Sequence, residues 1–295
     1  MLESFKRILQ DPPPAMAFEI SEAGIAAARI GSRAEIDFRA LPPGVLTVSP
    51  LKENVIDPDE LSRTVRGLLG GQSARKRRDV TLILPDFSTR IAVLDFDEFP
   101  SDPKEQLSLV RFRLKRSVPF DVEAAAIGYW AQHVTGKKCD VVVAMAPLEI
   151  VARYEAPFRA AGMNPGFVTP SVLAALELAA DGGVNVLAKI SGHVLTVVVR
   201  SNGVVKLVRC LEIPSPAWED IAAVLQPTFV FAEDNLGARV DRLILCGFGA
   251  EIDTAVRRFQ VELEVPAEPL RSPFGLPGEN NAGLLGYLRS IARYN

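Results

Sequence analysis

FEISEAGIAAARIGS at Phe18–Ser32 lies over LAKISGHVLTVVVRSN at Leu187–Asn202 when the chain is shifted against itself by 170 residues. Ile20 falls on Ile190, Ser21 on Ser191, Arg39 on Arg209 and Leu41 on Leu211. Both blocks consist of short apolar-alternating runs broken by turn residues, such as Glu22-Ala23-Gly24 and Gly31-Ser32-Arg33 in the first. That pattern predicts a three-stranded meander twice over. Helical patterns and a further apolar strand follow each meander, Val80–Leu84 in the first half and Arg242–Cys246 in the second. Two similar α/β lobes are expected, joined near Asp181-Gly182-Gly183, with the cleft between them as the ligand site.

Working outward, Asp57 opens a predicted helix over 58–69 that Gly70-Gly71 closes. A strand at Arg90–Phe96, a helix over 103–118 ended by Pro119-Phe120, strands near 126–133 and 139–144, and a helix over 148–161 follow. This β-α-β-β-α stretch reads as a small α+β unit of about 90–165 inserted in the first lobe. A strand at 166–169 and a helix over 171–180 lead to the linker. In the second half a helix from Pro216 to about Leu236 is kinked or split by Pro227. A helix from Glu251, a strand over 261–265, a Pro-rich loop and a helix over 282–292 complete the pattern. The expected division is an arm at 1–15, a first lobe at 16–182 and a second at 183–295, with the last helix packing back on the first lobe. In the arm, Leu2, Phe5, Ile8 and Leu9 recur at helical spacing before Pro12-Pro13-Pro14. Such a segment suits a partner, a membrane surface or its own domain.

The 295 residues carry 33 Lys+Arg against 36 Asp+Glu, a net charge of -3, with 48% apolar residues. That excludes a disordered chain and argues against a dedicated nucleic-acid binder. The run Arg75-Lys76-Arg77-Arg78 reads as a phosphate contact or a solvated turn. Cys139, Cys210 and Cys246 stand far apart without CxxC spacing, so they read as reduced thiols. His133 and His193 are the two histidines, too few for a histidine-based metal site or triad. His193 reads as a turn residue at the surface. Asp95 and Asp97 share a strand face and could bind a cation, or simply be solvated. No secretory signal or membrane-spanning run is visible, so a cytoplasmic protein without metal is expected.

Leu82-Ile83-Leu84-Pro85, Asp97-Glu98-Phe99-Pro100, RFRLKRSVPFDVE (111–123) and DVVVAMAPLEIVARYEAPFRAAGM (140–163) occur in that order. With Leu243–Gly247 and Ala282-Gly283-Leu284, this series resembles PilM, the cytoplasmic actin-like protein of type IV pilus assembly. The cytoplasmic part of the type II secretion protein GspL is similar. The resemblance covers most of 16–290. It implies a duplicated, actin-like two-lobed fold with an inserted α+β subdomain.

ATP binding in that fold takes two phosphate hairpins, each with an Asp for Mg²⁺ and a Gly that admits the phosphates to backbone N–H groups. Here the first hairpin reads Glu19-Ile20-Ser21-Glu22 and the second Lys189-Ile190-Ser191-Gly192. Two unpaired carboxylates facing a triphosphate at 4 Å would each cost about 4 kcal/mol at an effective dielectric of 20. Lys189 could pair with phosphate but cannot hold the metal. The adenosine turn reads Gly247-Phe248-Gly249 instead of consecutive glycines, and Phe248 either stacks on a base or fills the crevice. The helical insert the family places after the second meander also looks truncated, since Ile213 leads within a few residues to Trp218. No GxSxG, GxxxxGK[ST] or HExxH motif occurs. The resulting expectation is a pseudo-ATPase without cofactor or catalytic residue. An ATPase that switches with Mg-ATP, with Glu19 in place of the usual Asp, is the alternative.

The resemblance further implies docking of the tail of a PilN-like inner-membrane protein beside the inserted subdomain, peripheral placement at that membrane, and contact with pilus or secretion ATPase machinery. The basic residues Arg111, Arg113, Lys115 and Arg116 would face an acidic tail or anionic headgroups, with Pro119 and Phe120 in the groove wall.

Overall fold

The computed structural model describes residues 13–30, 34–69, 78–213 and 217–292. The amphipathic arm over 1–10, most of the basic run at 75–78 and the turns at 31–33 and 70–71 lie outside the described residues.

Strands β1 (Met16–Ser21), β2 (Gly24–Ile30) and β3 (Ala34–Ala40) form the first meander. Helix α1 (Pro58–Leu68) starts where the Asp57 side chain accepts from the Asp59 and Glu60 N–H groups, with Pro58 in the first turn. It buries Leu61 and Val65. Strands β4 (Arg78–Leu84) and β8 (Met163–Pro170) extend the sheet in the order β3-β2-β1-β4-β8, both added in parallel. The second lobe repeats this plan with β9 (Val184–Ser191), β10 (Val194–Ser201), β11 (Val204–Glu212), β12 (Arg242–Cys246) and β13 (Ala267–Pro269), ordered β11-β10-β9-β12-β13.

The 170-residue repeat is a register match in the first hairpin of each lobe. Ser21 faces Gly24 as Ser191 faces Val194. On the third strands it slips by two. Arg39 lies opposite Ile25, but the counterpart of Ile25, Leu195, lies opposite Leu211. Arg39 and Arg209 are therefore not equivalent, and a bulge at Val199/Arg200 accompanies the slip.

The inserted unit is a third, antiparallel sheet, with β5 (Arg90–Phe96), β6 (Ala125–Thr135) and β7 (Lys138–Pro147) in the order β5-β7-β6. Helix α2 (Pro103–Leu114) covers one face, burying Val110 and Leu114 against Val141, Val143 and Met145. It stops four residues short of the expected end, because the Ser117 N–H and hydroxyl both turn back to the Leu114 carbonyl ahead of Pro119. Helix α3 (Leu148–Ala160) belongs to the first lobe, where Ile150, Tyr154 and Phe158 pack with Phe18 and Ile20. The inserted unit therefore closes near Pro147, earlier than the expected 165.

After β8 the chain makes one short helix, α4 (Ser171–Ala175), then a 3₁₀ turn to Leu178, where a helix to 180 was expected. Helix α5 (Trp218–Leu236) runs unbroken past Pro227 and ends at Gly237 in the left-handed region at φ 62°. Helix α6 (Ile252–Glu262) takes up the start of the stretch expected as a strand over 261–265. The strand forms instead at β13, parallel to β12.

The final helix, α7 (Ala282–Ala292), returns to the first lobe. Between the lobes Val172 and Leu176 join Leu284, Leu285 and Leu288, with Ile83 from one sheet and Leu187 and Ile244 from the other. The helices approach this closely because α7 presents glycines. A Cβ on Gly286 would lie 2.0 Å from the Ala174 carbonyl oxygen, and one on Gly283 would meet Ser171 at 2.9 Å. Gly286→Ala is expected to cost several kcal/mol through forced separation of the helices. Gly67→Ala, in α1 with open space around it, should instead stabilise by up to about 1 kcal/mol. Thermal melts of the two variants check the contrast, and equal melting temperatures would refute it.

Candidate functional site

Successive residues on a strand face opposite sides, and this places the two hairpin residues singled out above. Phe18 and Ile20 point into the first lobe's own core, so Glu19 points inward between the lobes. Ala188 and Ile190 likewise fill the second lobe, and Lys189 points inward. Both side chains are 2% exposed.

Neither is free for a ligand. Glu19 accepts from the Ser171 hydroxyl at 2.5 Å and from the Leu284 N–H at 2.7 Å. The expectation of an unpaired carboxylate at that position is therefore corrected: Glu19 is engaged at the start of α7. Lys189 pairs with Asp86 at 3.0 Å. Asp86 sits in the short 3₁₀ turn after β4, and it also accepts from the Thr196 hydroxyl at 3.2 Å and the Val172 N–H at 2.6 Å. One carboxylate of the first lobe thus holds a cation and a hydroxyl of the second, charge-assisted on every contact.

Burial pushes the Glu19 carboxyl above its ordinary range, and the Lys189 charge and the two hydrogen bonds pull it back only in part. For Lys189, burial acts to lower the pKa, but the Asp86 and Glu19 charges outweigh it and raise the value. Burial likewise pushes the Cys210 and Cys246 thiols up to about 12, so both are inert at neutral pH.

Above this floor the two hairpin tips meet. Glu22 accepts from the Val48 N–H at 2.9 Å, and its other oxygen lies 3.6 Å from where a Cβ on Gly192 would stand. Ser21 is used within its own hairpin, donating to the Gly24 carbonyl at 3.0 Å. The space left, lined by Ser21, Glu22, Asp86, Ser191, Gly192 and Glu279, is about 130 Å³. Pockets for drug-sized ligands measure roughly 300–1,000 Å³. Three carboxylates border it, and Lys189, which does not line it, is already paired with Asp86.

The Gly247-Phe248-Gly249 turn serves the fold. A Cβ on Gly247, at φ +87°, would lie 2.0 Å from the Ile190 carbonyl oxygen. Phe248 packs inward, stacked on Trp218 at 6.2 Å and edge-on to Phe259. Gly249, at φ +52°, begins the 3₁₀ turn that leads into α6.

The basic residues of α2 lie on the far side of the inserted sheet. Arg111 contacts Glu123 at 3.3 Å, and Arg113 contacts Asp95 at 3.2 Å while covering the Phe96 ring. Lys115 and Arg116 are exposed, as is Pro119, with Phe120 half-buried behind them. Asp97 pairs with Lys138 at 3.7 Å, so the Asp95/Asp97 pair is taken up by cationic side chains. Among the described residues no cluster could hold a metal ion, and no helix is long and apolar enough to cross a membrane. His193 is an exposed turn residue.

A different feature lies at the β6 edge of the inserted sheet. An apolar groove of about 230 Å³ runs between it and the first lobe, lined by Ile127, Gly128, Ala146, Val151, Thr169 and Pro170. Both β6 and β8, which border it, are edge strands. Asp86, Ser171 and this groove were missed in the sequence. A lysine in the mostly apolar run VNVLAKIS signals a buried acid partner. Nothing local identifies Asp86 as that acid.

Removing one member of a buried pair typically costs about 3–5 kcal/mol. Lys189→Met should therefore lower the melting temperature by on the order of 10 °C. Adding Asp86→Asn should recover part of the loss, and two additive losses would show that the residues are not coupled. Glu19 gives a pH signature. Its folded pKa is raised, so its stabilising contribution is present below the unfolded value of 4.5 and is lost as pH rises through the folded value. Glu19→Gln is expected to melt higher than the parent at pH 8 and alike at pH 4, in melts across that range. A lower melting temperature at pH 8 would contradict the assignment.

No protein-family model matches the chain, and no curated protein sequence matches it. Solved structures do. The PilM–PilN type IV pilus biogenesis complex aligns with a TM-score of 0.73 and 20% identity over 95% of this chain and 99% of that one. A Bacteroides thetaiotaomicron protein with an actin-like ATPase fold gives 0.56 and 11% over 97% and 98%. The cytoplasmic domain of EpsL, an inner-membrane component of the Vibrio cholerae type II secretion system, gives 0.49 and 13% over 94% of each chain, too distant to carry weight. The chain has the actin-like ATPase fold, and over nearly its whole length it is similar in structure to the PilM–PilN complex.

Proposed function

We propose that this chain is a non-catalytic cytoplasmic scaffold of a type IV pilus or type II secretion-like assembly at the inner membrane, working without nucleotide. The observation that carries the reading is the buried Asp86–Lys189 pair. It joins the lobes with side chains at the floor of the cleft, where an ATP-dependent member of this fold needs room for phosphate and metal. Glu22, Asp86 and Glu279 border the remaining 130 Å³; Asp86 is neutralised by Lys189, and Glu22 and Glu279 would repel a triphosphate.

A scaffold must hold something. The similar structure is described as a complex of PilM with PilN. By analogy, the occupant proposed for the apolar groove is the extended cytoplasmic tail of a PilN-like membrane protein. β6 and β8 are each the last strand of their sheet and lie beside small apolar residues, and this suits a tail bound as an added strand. Attachment to the membrane would then come through the partner.

Two measurements test the proposal. In a melt with millimolar Mg-ATP, no shift is expected. Ligand at about 100 times its dissociation constant adds roughly 2.7 kcal/mol, so a rise of several degrees would sink the nucleotide-free reading and favour the switching ATPase. The second is titration of a labelled PilN-like tail peptide. Gly128 is exposed with open space at its Cβ position, so Gly128→Trp fills the groove without disturbing the backbone. It should weaken the peptide about tenfold or more while leaving the melting temperature unchanged. Equal affinity for parent and variant would place the tail elsewhere.

A further inference from the structure

We propose that the outer face of α2 is a second docking site, separate from the groove, for a protein segment that pairs one large apolar side chain with a nearby carboxylate. Phe112 is 75% exposed in the last turn of the helix, while Val110 and Leu114 beside it are fully buried. An aromatic ring held out on a well-packed helix gains nothing for the fold. Next to it is a cavity of about 330 Å³ between the helix and the turn at Asp121–Glu123. Phe112 and Val122 give it apolar surface, Arg111 and Lys115 form one rim, and Asp121 and Glu123 form the other.

Charge decides the occupant. Lys115 and its neighbour Arg116 have no ion-pair partner among the described residues. Arg111 is held by one contact of 3.3 Å to a Glu123 side chain that is 71% exposed. An incoming carboxylate can take up these cations at little cost, because no buried pair has to be broken. An apolar anchor beside Phe112 would supply affinity, as aromatic and arginine residues do at the centre of protein interfaces. A bilayer fits less well: the site is concave, and a flat array of anionic headgroups would meet the Asp121–Glu123 rim as well, whereas a single carboxylate can be placed against the Arg111–Lys115 rim alone. The site and the groove share no lining residue, so both could be filled at once and the inference does not depend on the tail.

The test is selection of displayed random peptides on the whole chain. Enriched peptides should carry a large apolar residue within one turn of an Asp or Glu. Their affinity should fall about tenfold or more with Phe112→Ser and with the Lys115→Glu/Arg116→Glu pair, and stay unchanged with Gly128→Trp. These substitutions are at exposed positions, and unchanged melting temperatures confirm that they leave the fold intact. Failure to enrich any peptide, or enrichment of peptides insensitive to Phe112→Ser and the charge reversal, would overturn the proposal. So would two other results: retention on phosphatidylserine vesicles that the charge reversal abolishes, which would make the face a lipid contact, and self-association abolished by Phe112→Ser, which would make the occupant a second copy.

Discussion

Everything in the centre of this molecule depends on one carboxylate. Asp86 comes from the turn after a first-lobe strand, and its oxygens accept from Lys189 and Thr196 of the second lobe and from the Val172 N–H at the start of a helix. A buried ion pair is stable only where the desolvation of both charges is offset by good geometry and further hydrogen bonds. Asp86 meets that condition with three donors, one of them at a helix N-terminus, where the peptide dipoles favour negative charge. The lobes cannot turn against each other without breaking these contacts together.

The close backbone packing around the pair has the same consequence. Gly283 and Gly286 bring the last helix onto the short helix that starts at Ser171, and Gly247 lets its turn cross the end of the strand that bears Lys189. Tyr287 adds a hydrogen bond from Thr81 at 2.8 Å and one to the Pro14 carbonyl at 2.8 Å. Helix, strand and turn therefore meet at the charged cluster with little free volume, and the cleft above it is correspondingly small.

The strands of both meanders were legible because their alternation is dictated by burial on one or two faces, a local signal. The lobes and the inserted sheet followed from it. Helix ends were not legible where a long-range or turn contact decided them. LKRSV continues the helical propensity of the preceding turns, yet Ser117 and Pro119 stop the helix at Leu114. VELEV alternates like a strand, but its first residues complete the helix that buries Ala255 and Phe259, and the sheet takes its edge from Ala267–Pro269 instead. Of the site, the hairpin residues could be named from sequence and their partners could not. Asp86 and Ser171 lie 103 and 152 residues from the groups they bind, and no periodicity links such positions.

Duplication gives this a further meaning. Glu19 and Lys189 are 170 residues apart, the same shift that superposes the two hairpins, so they are one position of the repeat seen twice. In a lobe pair built to bind a metal-triphosphate, both copies of that position must be acidic and open to the cleft, and the ligand is what makes their approach tolerable. Here one copy is an acid engaged at a helix start and the other is a base engaged by Asp86. Opposite charges at equivalent positions attract without a ligand between them. In the scaffold proposed above, this attraction and the Asp86 contacts would hold the lobes together in place of a nucleotide, and the inserted sheet with its groove would keep its place against them.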